Sequence, residues 1–270
     1  MKFICPKCSL PLSVSENGSA VCKNSHSFDR SKEGYYNLLL SNTKNHGDNR
    51  DMVLARRNFL DTGAYLPLAK RISELVCENF KSNSVILDAG CGEGYYTDII
   101  ERALTDSGID AQIIGFDISK DAVRVAAKKN RRLSLAVASA YHMPFADGTF
   151  DGVVNLFSPL ALSETVRVIK PHGKFIMAIP AEEHLYGLKS VVYDTPYKNE
   201  VADFELEGLQ LKSSERISYT LNLTSKQDIE SLFMMTPYAY RTRKEDRERV
   251  YALDSLETQA DFIVLVYEKP

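Results

Sequence analysis

The sequence has no long hydrophobic run and no marked excess of either charge. No segment approaches the roughly 20 apolar residues of a membrane-spanning helix, and the first residues lack the long apolar region of a secretory signal, so we expect a cytoplasmic protein. A net charge of −3 excludes attraction of a polyanion by overall charge, and any nucleic-acid contact would have to come from local basic patches. The length of 270 residues, with 44% hydrophobic residues, suits one full domain with a small appendage.

Cysteine is also scarce, and the five cysteines are an odd number that does not form a disulfide framework. Three of them lie near a histidine at metal-ligand spacing. Two residues separate Cys5 from Cys8, and three separate Cys22 from His26, so each close pair can supply two corners of a tetrahedron. Four nitrogen and sulfur ligands leave no corner open. The sequence therefore predicts a structural zinc ion rather than a catalytic one.

Composition and turn signals divide the chain into three parts. Residues 1–36 contain a turn signal at Glu16–Ser19 and no period long enough for a helix, which predicts a compact zinc-binding domain. Residues 37–83 are predicted to be a linker with helices, of which the polar stretch 41–51 is the linker. Residues 84–270 form the third predicted part. Zinc can replace a core that is too small to fold alone, and zinc knuckles also bind looped RNA.

The third part alternates short apolar runs with amphipathic stretches. Apolar runs separated by helices predict a doubly wound α/β domain, in which helices cover both faces of a parallel sheet. The predicted strands are 84–90, 111–118, 133–139, 150–157, 173–180, 215–223 and 260–270. The predicted helices are 52–63, 66–80, 95–104, 120–129, 160–169 and 227–235.

A glycine-rich segment, "LDAGCGEGYYT" (Leu87–Thr97), lies where the first strand of this domain gives way to a helix. Its three glycines, Gly90, Gly92 and Gly94, permit a tight turn and close approach of a ligand, although glycines also occur in such turns for steric reasons alone. Asp117 ends the next strand about 20 residues further on. A carboxylate at this place can accept hydrogen bonds from ribose hydroxyls.

The motifs "D-x-G-C-G-x-G" and "F-D-I-S", with "MPFADGTFDGVV" (Met143–Val154), resemble those of class I S-adenosylmethionine-dependent methyltransferases. The resemblance implies a Rossmann-like sheet of seven strands, mostly parallel, with the last strand antiparallel. It also implies that Asp88 and the loop Gly90–Gly94 face the methionine part of S-adenosylmethionine, that Asp117 faces the ribose, and that Ser139 and Ala140 flank the adenine.

Over essentially its whole length the chain resembles the bacterial 23S rRNA (guanine-N1)-methyltransferases. The resemblance rests on "C-P-x-C", "KEGY-x-NLL", "ARR-x-FLD-x-G-x-Y-x-PL", "LD-x-GCGEGYYT" and "MMTPYAYR". It implies a homodimer that methylates guanine 745 or 748 in a 23S rRNA hairpin or in a large-subunit precursor. It assigns zinc binding to Cys5, Cys8, Cys22 and His26, and cofactor contacts to Tyr65, Gly92, Glu93 and His184.

One segment departs from a pattern common in related enzymes. The end of the fourth strand reads "NLFSPLALSE" (Asn155–Glu164), without the Asn/Asp-Pro-Pro-aromatic motif of many amino-group methyltransferases. This departure favours a ring nitrogen such as guanine N1 as the acceptor. It leaves the general base unassigned, with a polar group near Asn155–Ser158 or His184 as candidates for orienting the N1 proton.

Two other functions stay open at this point. The catalytic part alone also suits a methyltransferase of a small metabolite, for which a zinc domain would be superfluous. A non-catalytic RNA-binding protein is the other alternative, and the intact Asp88, glycines and Asp117 argue against it. RNA contacts are expected from the basic residues Lys7, Lys23, Arg30, Arg56, Arg57, Arg241, Arg243 and Lys244.

Overall fold

The computed structural model describes residues 1–40 and 47–270, so residues 41–46 of the predicted linker lie outside the described residues. The N-terminal part contains a small antiparallel sheet of three two-residue strands, β1 (Ser13–Val14), β2 (Ala20–Val21) and β3 (Ser27–Phe28). The predicted turn at Glu16–Ser19 joins β1 to β2. The side chain of Asn17 accepts hydrogen bonds from Ser15 Oγ at 2.6 Å and from the Ser19 amide at 3.2 Å, which stabilises this turn.

An eight-stranded sheet forms the centre of the molecule. Its strands are β4 (Tyr36–Asn37), β5 (Val85–Ala89), β6 (Gln112–Asp117), β7 (Ser134–Val137), β8 (Phe150–Leu156), β9 (Ile169–Pro180), β10 (Gln210–Leu223) and β11 (Leu256–Glu268). They lie in the order β10-β11-β9-β8-β5-β6-β7-β4. Only β11 runs antiparallel to its neighbours. The mostly parallel α/β fold with an antiparallel last strand is confirmed.

The strand count exceeds the predicted seven because β4 joins the edge of the sheet. Tyr36 and Asn37 pair in parallel with Ala136 and Val137 of β7, and the Leu38 amide donates to the Val137 carbonyl at 2.9 Å. The predicted domain boundary after residue 36 falls within this short strand. The division into residues 1–36, 37–83 and 84–270 stays a prediction.

Helices connect the strands and cover the sheet. They are α1 (Arg50–Asp61), α2 (Leu66–Asn79), α3 (Tyr95–Asp106), α4 (Lys120–Lys129), α5 (Leu162–Val168), α6 (Tyr186–Val192), α7 (Lys226–Met234), α8 (Tyr238–Arg241) and α9 (Lys244–Tyr251). Side-chain caps begin three of them: Asn49 accepts from the Met52 amide at 3.0 Å, Ser119 from the Ala122 amide at 3.2 Å, and Ser225 from the Asp228 amide at 3.4 Å. Among the described residues, no helix is long and apolar enough to cross a membrane.

The two faces of the sheet are covered differently. Neighbouring residues of β5 point to opposite faces, with Ile86 in a core shared with α1–α4 and Leu87 in a core shared with the N-terminal part. On the second face, the connection from β7 to β8 (residues 138–149) contains no helix. The N-terminal part lies there instead, so it completes the covering of the sheet.

Phe145 is the centre of this contact. Its side chain is fully buried, its ring stacks on that of Phe3 at 5.2 Å, and it also contacts Phe116 and Phe150. The Ile4 amide donates to the Pro144 carbonyl at 2.8 Å. The N-terminal zinc-binding part and the α/β sheet therefore share one hydrophobic core.

We expect Phe145→Ala to lower the free energy of unfolding by about 3–5 kcal/mol, because it leaves a cavity between two parts of one core. Denaturant unfolding measures the loss. Val14→Ala, at an exposed strand residue, is the matched control and should change stability by less than about 0.5 kcal/mol. A loss below about 1 kcal/mol for Phe145→Ala would contradict a shared core.

Candidate functional site

Three cysteines and one histidine of the N-terminal part meet at one point. The potential ligand atoms of Cys5, Cys8, Cys22 and His26 all lie within 4.8 Å of one another. His26 Nδ1 is 3.4 Å from Cys5 Sγ and 3.5 Å from Cys22 Sγ, and Cys8 Sγ is 3.6 Å from Cys22 Sγ. Zinc–ligand bonds of about 2.0–2.3 Å in a tetrahedron require ligand separations of roughly 3.3–3.8 Å. These three separations lie in that range, so the donor set and its arrangement fit a zinc ion.

Two similar turns position these ligands. In the first, the Ser9 amide donates to the Cys5 carbonyl at 2.8 Å, and in the second the Ser25 amide donates to the Cys22 carbonyl at 2.9 Å. Ser9 and Ser25 both have left-handed backbones, with φ of 58° and 60°. Each turn brings the two ligands of its pair together, as the close spacing in the sequence predicts.

The glycine loop follows β5 at the carboxyl edge of the sheet. Gly90, Gly92 and Gly94 have φ of 87°, 54° and 79°, a region that other residues rarely adopt. A Cβ at Gly90 would lie 2.4 Å from the Ser158 side chain, whereas a Cβ at Gly92 would meet no atom within 4 Å. The absence of a side chain at Gly90 therefore leaves room for Ser158 of the neighbouring loop. Gly92 borders open space that a ligand can enter.

Asp88 and Asp117 lie on either side of this loop. Asp88 is buried in β5 and accepts from Thr97 Oγ1 at 2.6 Å, and burial raises the pKa of its carboxyl to about 7. Asp117 accepts from the amides of Gly92 at 3.1 Å and Ser119 at 2.7 Å. Burial raises the pKa of Asp117 as well. Two desolvated carboxyl groups beside a glycine loop are typical of a ligand site.

Three buried polar atoms near the loop have no hydrogen-bond partner among the described residues: Glu93 Oε2, the Tyr65 hydroxyl and the Tyr96 hydroxyl. Buried polar groups in folded proteins are nearly always paired, so each exception needs an explanation. A polar ligand in the open space beside Gly92 would supply such partners. The residues present therefore fit a bound nucleoside-type cofactor.

Tyr65 and His184, which are far apart in the sequence, lie close together. Their rings are 6.1 Å apart, and the Phe262 ring lies 5.1 Å from Tyr65 and 4.6 Å from His184. The Asp261 amide donates to His184 Nδ1 at 3.3 Å. Burial lowers the pKa of His184 to about 3, so the ring is neutral at physiological pH.

Ser139 and Ala140 follow β7 at the same edge of the sheet. The Ala138 amide donates to the Asp117 carbonyl at 3.0 Å, which holds this segment beside the end of β6. Both residues are partly exposed. The structure thus brings Ser139 and Ala140 next to Asp117, as parallel strands with adjacent carboxyl ends require.

Arg56, an expected RNA contact, forms ion pairs within the protein. Its guanidinium pairs with Asp48 and lies 4.0 Å from Glu93 Oε2, and its side chain is only 27% exposed. Arg56 therefore neutralises the partly exposed Asp48 and the buried Glu93, and its contact with RNA stays a prediction. Arg57 is more exposed but forms an ion pair with Asp61 at 3.4 Å.

A groove with a cavity volume of about 630 Å³ lies beside the glycine loop, between α1 and α4. Glu93 and Tyr95 line one end. The basic residues that line it are Arg50, Arg57, Arg124, Lys128 and Lys129.

Sequence reasoning did not identify Tyr96 as part of the site, and it included Ser158 only within the range Asn155–Ser158, as a candidate for orienting the N1 proton. Tyr96 carries one of the unpartnered hydroxyls, and Ser158 Oγ donates to the Ala89 carbonyl at 2.7 Å next to the glycine loop. Tyr96 stands within the glycine motif and Ser158 within the segment "NLFSP", so both were inside recognisable motifs. Burial and pairing, which decide their roles, are visible only in the fold.

Comparison with known proteins defines the class. Residues 87–177 match a family model described as "Methyltransferase domain", and residues 3–46 match one described as "RlmA, N-terminal", a zinc ribbon. A methyltransferase structure from Bacillus halodurans superposes with a TM-score of 0.50 at 18% identity, covering 76% of this chain and 98% of that one, which shows the shared fold. The chain is a class I S-adenosylmethionine-dependent methyltransferase with an N-terminal zinc ribbon.

Curated relatives define the family. A Bacillus subtilis protein with the provisional name 23S rRNA (guanine-N1)-methyltransferase is 30% identical over 98% of this chain and 96% of its own length. The 23S rRNA (guanine(748)-N1)-methyltransferase of Streptomyces fradiae is 35% identical over 68% of this chain and 65% of its own length. The chain belongs to the 23S rRNA (guanine-N1)-methyltransferase family.

Asp88→Asn tests the buried carboxyl. The folded protein keeps Asp88 protonated between its ordinary pKa of 3.8 and about 7, while the unfolded chain releases that proton. The stability of the wild type relative to Asp88→Asn should therefore fall by about 1.4 kcal/mol per pH unit across this window and stay constant above it. Urea unfolding at a series of pH values, without cofactor, gives the difference. A difference that is independent of pH would contradict the raised pKa.

Proposed function

We propose that this chain transfers the methyl group of S-adenosylmethionine to N1 of a guanine in a 23S rRNA hairpin. The main support for this proposal is that the zinc ribbon packs directly on the methyltransferase sheet. Phe3 stacks on Phe145, and strand β4 pairs with β7. A substrate smaller than a nucleotide would need no such second surface, whereas zinc knuckles bind looped RNA. The family relationship extends over both parts and supports the same function.

In this proposal the cofactor lies against the carboxyl edge of β5, β6 and β7. Asp88 and the loop Gly90–Gly94 hold the methionine part, Asp117 the ribose, and Ser139 and Ala140 flank the adenine. Tyr65, Glu93 and His184 complete the site with further contacts. The unpartnered atoms of Tyr65 and Glu93 support this arrangement, because a polar ligand would satisfy them.

S-adenosylmethionine supplies a methyl group that is activated by its sulfonium charge. The acceptor, guanine N1, carries a proton and becomes a good nucleophile only when that proton leaves. His184 is unsuited to remove it: Nδ1 accepts the Asp261 amide, so the neutral ring holds its proton on Nε2, and its pKa is low. We therefore assign His184 to cofactor contact and leave the general base unassigned.

Cys5, Cys8, Cys22 and His26 are the proposed zinc ligands, and zinc fixes the ribbon against the sheet. RNA phosphates would contact the ribbon and the basic wall of the groove between α1 and α4, where Arg50 and Lys128 form no ion pair with the described residues. Affinity for RNA should then fall steeply with salt. A homodimer, a cytoplasmic location and the choice between guanine 745 and guanine 748 stay predictions.

Primer extension on 23S rRNA tests the function directly. Methylation at N1 blocks Watson–Crick pairing, so reverse transcriptase should stop one nucleotide before the modified guanine in wild-type cells and read through in cells that lack the protein. Restoring the gene on a plasmid should restore the stop. An unchanged stop pattern in the deletion strain would contradict rRNA methylation.

Cys8→Ser tests the zinc ligands, with Cys77→Ser on α2 as the matched control because Cys77 lies outside the cluster. We expect the wild type and Cys77→Ser to contain about one zinc ion per chain by atomic emission and Cys8→Ser to contain much less. Methylation of the hairpin should fall at least about 10-fold in Cys8→Ser, with a much smaller change in S-adenosylmethionine affinity. Full zinc content in Cys8→Ser would refute the ligand assignment.

A further inference from the structure

Phe157 is a large aromatic residue in an unusual position. It directly follows β8 at the carboxyl edge of the sheet, and 42% of its surface is exposed although neighbouring residues of the strand are buried. Its backbone has φ of +60°, in the left-handed region. Such a conformation is a true outlier for a bulky side chain, and outliers of this kind concentrate at functional sites.

The surrounding loop holds Phe157 in this conformation. Ser158 Oγ donates to the Ala89 carbonyl at 2.7 Å, and Asn155 Nδ2 donates to Ser158 Oγ at 2.8 Å. Ser158 occupies the space that a side chain at Gly90 would fill. The turn that presents Phe157 is therefore tied to the first glycine of the cofactor loop.

The Phe157 ring packs against two other aromatic rings. Its ring centre lies 5.4 Å from that of Phe262 and 6.1 Å from that of Tyr96. Tyr96 is the residue whose buried hydroxyl has no hydrogen-bond partner among the described residues and which has no assigned role. An exposed ring above a rigid aromatic layer, with an unsatisfied donor next to it, suits a flat ligand that has both a π face and a polar edge.

We propose that Phe157 is the platform on which the target purine base stacks after it leaves its RNA helix. This assignment rests on the proposed function and adds a substrate-binding residue to it. Enzymes that modify a base must extrude it and hold it by stacking and by contacts to its edge. Phe157 is tied to the Gly90 loop, so a base stacked on it lies beside the cofactor residues.

Kinetics of three variants test the stacking. Phe157→Ala should lower kcat/KM for the RNA hairpin about 10- to 100-fold, since stacking on an aromatic ring contributes this much to the binding of a base. Phe157→Tyr keeps the ring and should stay within about 3-fold of the wild type. Phe157→Leu keeps apolar packing on Phe262 without a π face, and should be as impaired as Phe157→Ala.

The affinity for S-adenosylmethionine, measured by calorimetry in the same variants, should remain within about 2-fold of the wild type. Equal loss of cofactor affinity and of methylation in Phe157→Ala would overturn the assignment, because the residue would then serve the cofactor. Full activity of Phe157→Leu would also overturn it and indicate packing alone. If the wild type does not methylate the hairpin, the proposed function fails and this assignment falls with it.

The absence of tryptophan from the sequence permits a direct binding measurement. Phe157→Trp introduces a single indole at the proposed platform, and Leu211→Trp places one at an exposed position at the start of β10, at the opposite edge of the sheet. With S-adenosylhomocysteine present, the hairpin should quench the fluorescence of Trp in Phe157→Trp but not in Leu211→Trp. A hairpin with an abasic target site should fail to quench either. Equal quenching of Phe157→Trp by the intact and abasic hairpins would overturn base stacking.

Discussion

The stacking of Phe3 on Phe145 is the contact on which the arrangement of the molecule depends. The connection between β7 and β8 has no helix, so this face of the sheet would be exposed if the N-terminal part did not cover it. Cys5 is only two residues beyond Phe3, and a zinc ion that fixes Cys5 also fixes the aromatic contact. The ribbon is too short to form its own hydrophobic core, and its apolar residues pack into a core that they share with the sheet. Zinc therefore serves the stability of the catalytic domain as well as the shape of the ribbon.

A second constraint is the concentration of buried carboxyl groups beside the glycine loop. The carboxyl groups of Asp88, Glu93 and Asp117 all have raised pKa values because of burial, and Arg56 is the cation beside Glu93. Without a ligand, burial of these groups opposes folding. Proteins retain such groups where a ligand uses them. The same reasoning explains the unpartnered hydroxyl of Tyr65, which lies at this edge of the sheet.

Sequence patterns predicted the elements whose signals are local. The bounds of helix α4 agree at both ends, with Ser119 capping its start, and the zinc ligands follow from spacing within two short turns. Strand β4 was not predicted, since two residues carry no periodicity and only pairing with β7 makes them a strand. Arg56 is a basic residue that the sequence predicts to be a surface contact, and its ion pairs with Asp48 and Glu93 form only after folding. The structural roles of such residues depend on their tertiary contacts, which no local sequence pattern encodes.

Strand pairing, rather than a hinge, joins the RNA-binding and catalytic parts in the proposed function. Cys22 and His26 precede β4 by fourteen and ten residues, β4 pairs with β7, and β7 pairs with β6, which ends at Asp117. The last two steps are hydrogen-bonded strand registers, which limit movement of β4 relative to the strand that ends at Asp117. An RNA hairpin bound by the ribbon would then place one nucleotide next to Phe157. The neighbouring nucleotides of the hairpin would lie too far from the methyl group of the cofactor. In the proposed function, this restriction would favour methylation of one guanine over its neighbours in the hairpin.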